Sequence, residues 1–152
     1  MRVSSTPGHT QALNYYRLDY RMNEASLGQC YFVDMPGYGF AKAPKEVQMS
    51  WKRLIEAYFE HRKAVVMLFC IFDIRREPDV LDMSLLDYIR SVELPFCILL
   101  NKADKLSYSQ RLKAKAGFER MAFDGVAPIV VSAQTGLGIN EVKQVICRVL
   151  AA

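Results

Sequence analysis

Four short stretches of this chain carry side chains whose types and spacing could do chemistry. Asn101-Lys102-Ala103-Asp104 follows the apolar run Pro95 to Leu100 and precedes a polar, helix-like segment. A carboxylate at Asp104 can accept two hydrogen bonds together, from the N1–H and the 2-amino group of guanine, and adenine offers no such pair of donors. Asn101 can tie the base edge to neighbouring loops, and the methylene stem of Lys102 can lie along the base plane. Asp34-Met35-Pro36-Gly37 ends a second strand-like run. An aspartate there can hold Mg²⁺ through a water, and a glycine three residues on lets its bare backbone N–H approach a terminal phosphate. Ser132-Ala133 follows the run Pro128 to Val131, and the Ala133 N–H could donate to guanine O6. Upstream, Gly8-His9-Thr10-Gln11 offers the Thr10 hydroxyl to complete a magnesium shell. Each stretch also has a plain reading: NKAD as a polar turn, Pro36-Gly37 as a type I or II turn. The order decides between them. A threonine loop, DxxG, NKxD and SA, each after a strand and all on one edge of one sheet, are what a guanine nucleotide needs, because ligands of open α/β sheets sit outside the strand C-termini.

The elements that must position these residues are legible as periodicities. Arg2 to Gln11 reads as an irregular loop. Leu13 to Tyr20 and Gln29 to Asp34 read as two strands of a hairpin around a polar turn, Met22 to Gly28. Pro44 suits the first turn of a helix whose Val47, Trp51, Leu54, Ile55, Tyr58 and Phe59 recur at spacings of three and four. Ala64 to Asp73 is continuously apolar, as expected of a parallel strand covered on both faces. Pro78 opens a helix with Leu81, Leu85, Ile89 and Val92 inward; Pro95 to Leu100 is the next strand, Ser107 to Met121 a more polar helix and Pro128 to Val131 a short strand. Gly136 and Gly138 precede a last helix carrying Ile139, Val142, Val145, Ile146 and Val149. Strand and helix alternate from Pro44 onward, so the class is α/β: a mostly parallel sheet with helices on both faces.

A length of 152 residues fits one domain with a sizeable core, and a net charge of +4 permits contact with RNA or an acidic partner without demanding it. Cys30, Cys70, Cys97 and Cys147 match no zinc spacing and read as reduced, buried thiols. The longest apolar run, Ala64 to Phe72, is too short to span a bilayer, and the start MRVSSTPGHT has no signal-peptide core, so a soluble protein is expected. His9 and His61 read as surface, Arg75-Arg76 as a strand-end loop, and Trp51, Tyr58 and Phe59 as core.

Taken together, SSTPGHTQALN at Ser4 to Asn14, VDMPGYGFAK at Val33 to Lys42, the Trp51 helix, DIR at Asp73 to Arg75 and NKADKL at Asn101 to Leu106 resemble the small P-loop GTPases, and more closely the EngB family of GTP-binding proteins. The resemblance covers essentially the whole chain. It implies a three-layer P-loop GTPase-like fold that binds GTP or GDP with Mg²⁺ and serves large-ribosomal-subunit assembly, normal cell division and septation. It implies nucleotide contacts at Gly8, His9, Thr10, Gln11, Ala12, Asp34, Met35, Pro36, Gly37, Asn101, Lys102, Ala103, Asp104, Val131, Ser132 and Ala133, with Thr10 and Asp34 on the metal. It also implies a monomer acting on the ribosomal subunit or its rRNA, with no membrane or DNA partner, cytoplasmic in a bacterium and mitochondrial or otherwise organellar in a eukaryote. Family members have a first strand and a GxxxxGK(S/T) loop ahead of TPGxTQ. The 152 residues hold neither, so the sequence reads as a single, N-terminally truncated G domain over 1–152 that binds nucleotide weakly as it stands. Tyr38 follows DMPG where many GTPases carry a water-orienting glutamine, so slow or partner-dependent hydrolysis is expected and no catalytic residue is assigned. Two rivals stand beside this reading. One is an interaction module that keeps the fold without nucleotide and binds RNA or protein; the other is an adenine-nucleotide enzyme, which Asp104 argues against.

Overall fold

The computed structural model describes residues 13–23, 26–35, 45–61, 64–122 and 126–151. The chain divides into two compact units, residues 1–63 and 64–152.

In the first unit β1 (Asn14–Asn23) and β2 (Ser26–Asp34) form an antiparallel pair, with Asn14 opposite Asp34 and Arg21 opposite Leu27. The expected polar turn, Met22 to Gly28, is mostly strand. The ladder runs further because Gly28 lies under the ring of Tyr20, its cross-strand partner, where a Cβ would strike the ring. A glycine that looks like a turn signal is here the seat of an aromatic side chain. Helix α1 (Lys45–His61) follows, with Ile55 buried and Leu54, Tyr58 and Phe59 half-buried on the expected face. Tyr58 packs at 6.5 Å from Tyr15 and 5.6 Å from Phe59, ring centre to ring centre. Pro44 and the side chains of Val47, Trp51 and His61 lie outside what is described.

The second unit is a parallel sheet of β3 (Leu68–Asp73), β4 (Phe96–Asn101) and β5 (Ile129–Val130), in the order β3-β4-β5. Helices α2 (Val80–Ser91), α3 (Tyr108–Ala122) and α4 (Ile139–Ala151) alternate with the strands as the periodicity predicts. Cys70, Phe72, Ile74, Leu86, Ile89, Ile98, Leu100, Ala103 and Phe118 form one core face; Cys97, Leu99 and Val131, with Phe69 and Val142 against them, form the other. Three expectations are corrected here. Strand β3 begins at Leu68, not Ala64, and Ile71 is 64% exposed, so β3 is not covered on both faces among the described residues. On that face Val142 of α4 packs with Cys97 and Leu99 of the central strand and with Val131 just past β5, while Ile71 stays open. Likewise the buried stripe of α2 is Asp82, Leu86 and Ile89, with Leu81 and Val92 only half-buried. Asp82 is tolerated inside because Arg76 Nη2 donates to both its oxygens, at 3.0 and 2.9 Å, and the Asp79 N–H donates to it. Asp79 caps the helix in return, accepting from Leu81 and Asp82 N–H, a contribution of about 1 kcal/mol. Finally, the four cysteines are free, but Cys147 is exposed and Cys30 half-buried, whereas burial pushes the Cys70 thiol up to about 12.

Among the described residues no helix is long and apolar enough to cross a membrane. The expected single sheet is also corrected. Asp34 ends a two-stranded antiparallel sheet, where β2 takes its backbone partners from β1; among the described residues the NKxD and SA stretches follow strands of the parallel one.

Candidate functional site

Strands β4 and β5 end side by side, and the polar residues that follow them meet. The Val131 N–H donates to Leu100 O at 2.9 Å and the Ala103 N–H returns to Val131 O at 3.1 Å, so the two loops are stitched by backbone before any side chain is counted. Asn101 then bridges them: its Oδ1 accepts the Lys102 N–H at 2.7 Å and the Ala133 N–H at 3.2 Å. Lys102 sits in the left-handed region (φ 67°, ψ 30°), an uncommon state for a side-chain-bearing residue that the Asn101 oxygen stabilises. This bend turns the chain into a single 3₁₀ turn, Ala103–Lys105, which carries Asp104.

Asp104 is held by both oxygens. Ser132, fully buried, donates its hydroxyl to Oδ1 at 2.7 Å and accepts the Thr135 N–H at 3.2 Å; Lys105 places its ammonium 3.0 Å from Oδ2. The Ser132 hydroxyl and then Lys105 hold this carboxyl below the usual carboxylate range. A carboxylate offers about four lone-pair positions, so two remain for a pair of donors such as N1–H and the 2-amino group. Gly138 (φ 71°) packs its bare Cα against Val130 O, and the turn it permits returns Leu137 O to the Ser132 N–H at 2.9 Å.

Asn101, Lys102, Ala103, Asp104, Val131, Ser132 and Ala133 are therefore brought together at the ends of β4 and β5. One detail differs: the Ala133 N–H, expected to face O6, is donated to Asn101 in this structure. Asp34 ends β2 in the first unit, its carboxylate exposed and 3.5 Å from Asn14 Nδ2, with Met35 following. Gly8, His9, Thr10, Gln11, Ala12, Pro36 and Gly37 lie outside the described residues. Among the described residues no group of three or more His, Cys, Asp or Glu could hold a metal; Mg²⁺ asks for less, one or two carboxylate or hydroxyl oxygens with waters and phosphates, and Asp34 is such a donor.

Sequence reasoning quoted Asp73 and Lys105 within motifs but gave no site role to them or to Gln134. Asp73 ends β3 in register with Asn101 and binds both Arg75 and Lys102; Lys105 reaches Asp104 and Gln134. The readable signal for Asp73 was its place, a charged residue closing an apolar strand beside the strand that closes on Asn101. Arg75 and Arg76 do lie after the strand end as expected, but each holds a carboxylate.

The model of the family described as 50S ribosome-binding GTPase matches residues 1–102. A protein of Thermotoga maritima named "Probable GTP-binding protein EngB" is 37% identical over 151 residues, covering 97% of this chain and 73% of its own length. One of the same name from Acidobacterium capsulatum is 37% identical over 150 residues, covering 99% and 70%. Among solved structures, that of a probable GTP-binding protein engB superposes with a TM-score of 0.64 at 23% identity, over 80% of this chain and 76% of the other. That of Era in complex with MgGDPNP and nucleotides 1506–1542 of 16S ribosomal RNA gives 0.72 at 16% identity, over 96% and 47%. The two structures share the P-loop GTPase fold with this chain; the family match and the sequence relatives go further, and the chain belongs to the EngB family of GTP-binding proteins.

Proposed function

We propose that this chain is the guanine-nucleotide-reading part of a GTP/GDP-governed assembly factor for the large ribosomal subunit, with a consequent role in cell division and septation. The observation that carries the reading is the presentation of Asp104: a carboxylate kept ionised and oriented by Ser132 and Lys105, beside Asn101 and Ala133, at the C-terminal edge of a parallel sheet. Asp104 takes the two guanine donors, Asn101 and Lys102 border the ring, and the Ala133 N–H, shared with Asn101, reads O6. Gly37 serves the γ-phosphate, and Asp34 with Thr10 holds Mg²⁺, which when bound offsets phosphate charge. That residues 1–152 act as one G domain is part of the same proposal. The relatives' names support nucleotide binding, and the family description together with the Era complex supports a ribosomal partner, reached wherever ribosomes are assembled.

Titration with GTP, GDP and ATP tests it, on the 152-residue chain and on the same chain carrying a first strand, GxxxxGKS loop and first helix grafted from a relative. Two charge-assisted phosphate contacts amount to about 3 to 6 kcal/mol, or two to four powers of ten in affinity. The graft is expected to bind guanine nucleotides tighter by that factor, with Mg²⁺ dependence, and to ignore ATP. A folded graft that binds no nucleotide would instead favour the interaction module.

A further inference from the structure

Asp73 is fixed by its own chain before it touches anything else. Arg75 donates its backbone N–H to Oδ1 at 3.1 Å, Nε to Oδ1 at 2.9 Å and Nη2 to Oδ2 at 2.6 Å. Oriented by that fork, Oδ2 also takes the Lys102 ammonium at 3.0 Å. An isolated exposed ion pair is worth little, because two long side chains must be ordered to make it. Here the carboxylate is already ordered, so Lys102 alone loses freedom. The other end of Lys102 is anchored as well, through its N–H on Asn101 Oδ1. Asp73 and Asn101 are paired in register at the ends of β3 and β4, so two neighbouring strand ends hold Lys102 at its backbone and at its tip. The methylenes between form a strut, with the side chain 52% exposed and open to a flat ring.

We infer that Asp73 is a positioning residue for nucleotide binding, acting through Lys102 by holding its stem where a purine ring stacks. This deepens the guanine reading and rests on it. A stem under the ring plane touches every purine alike, whereas Asp104 reads only the edge. Asp73 therefore governs affinity without governing base choice.

The test uses the full chain as wild type, Asp73→Ala, Lys102→Met and the double variant, titrated with GTP and with inosine triphosphate, which lacks the 2-amino group, and followed by amide chemical shifts. Asp73→Ala is expected to weaken both nucleotides by the same factor, roughly three- to tenfold, as for the ordering of one long side chain. In the Lys102→Met background it should cost nothing further beyond about twofold. Asp73→Asn, which keeps the size and one acceptor oxygen but loses the charge and the second oxygen, replaces the alanine variant if that one does not fold; the effect then has the same sign and is smaller. A loss that persists without Lys102 means Asp73 acts on the fold and overturns the inference, as does unchanged affinity in a folded Asp73 variant. If neither the wild type nor the folded grafted chain binds either nucleotide, the guanine reading itself fails and this role fails with it; binding by the graft alone moves the same comparison of variants to that chain.

Discussion

Ser132 Oγ lies 2.7 Å from Asp104 Oδ1, across 28 residues of sequence, and donates to it. Added to the backbone bonds that already stitch the loop after β5 to the loop after β4, this bond sets how the carboxylate proposed to read the base is presented.

Replacing Ser132 with alanine should therefore do two things. It removes a fully buried hydroxyl and leaves the Thr135 N–H without its acceptor, so stability should fall by about 1 to 2 kcal/mol, read from denaturant midpoints. It also removes the first cause of the lowered Asp104 pKa, so guanine affinity in the grafted chain should begin to fall at a higher pH than in the wild type. An acid limb that does not move would show that Ser132 does not govern that carboxylate.

Acid should loosen the strand ends. Arg75 first, and Lys102 with it, hold the Asp73 carboxyl well below the usual range, as Ser132 and Lys105 do more mildly for Asp104. Lowered folded pKa values mean stability that is fully present above the unfolded value, about 3.9, and is lost as pH falls from there through the folded values. Denaturant midpoints measured downward from neutral pH should hold until about pH 4 to 5 as far as these groups contribute, then decline. Asp73→Asn should start lower and decline less; an equally steep decline would contradict the assignment.

The two left-handed glycines of the loop after β5 should respond differently to a methyl group. Gly136 (φ 81°) faces open space, so alanine there carries the backbone cost alone, about 1 to 2 kcal/mol. Gly138 (φ 71°) has Val130 O where a Cβ would go, so alanine must also displace β5 backbone and should cost more, about 3 kcal/mol or above, read as a lower Tm. Equal shifts would mean that the loop repacks without regard to Val130.

How much of this was legible follows from what each residue depends on. The alternation of β3, α2, β4, α3, β5 and α4 is written in local periodicity, and so is the placement of Asn101 and Ser132 after strands. The helix boundary at Ser107 was readable to within a residue because Ser107 and Gln110 form a reciprocal cap. Continuous hydrophobicity could not say whether Ile71 would be covered, since that depends on where α4 lies. Nor could spacing choose Leu86 over Leu81, because the choice turns on Arg76 making Asp82 fit inside. The grip of Lys102 on Asp73 is a product of strand register, which no single stretch encodes.

The central claim is that Asp104 reads guanine, and its most direct test is a change of base preference in the grafted chain. Asp104→Asn exchanges a double acceptor for an amide that can donate to the 2-carbonyl of xanthine. The variant should lose GTP affinity by at least about tenfold and gain affinity for xanthosine triphosphate. GTP affinity left unchanged, with no gain for the xanthine nucleotide, would contradict the account.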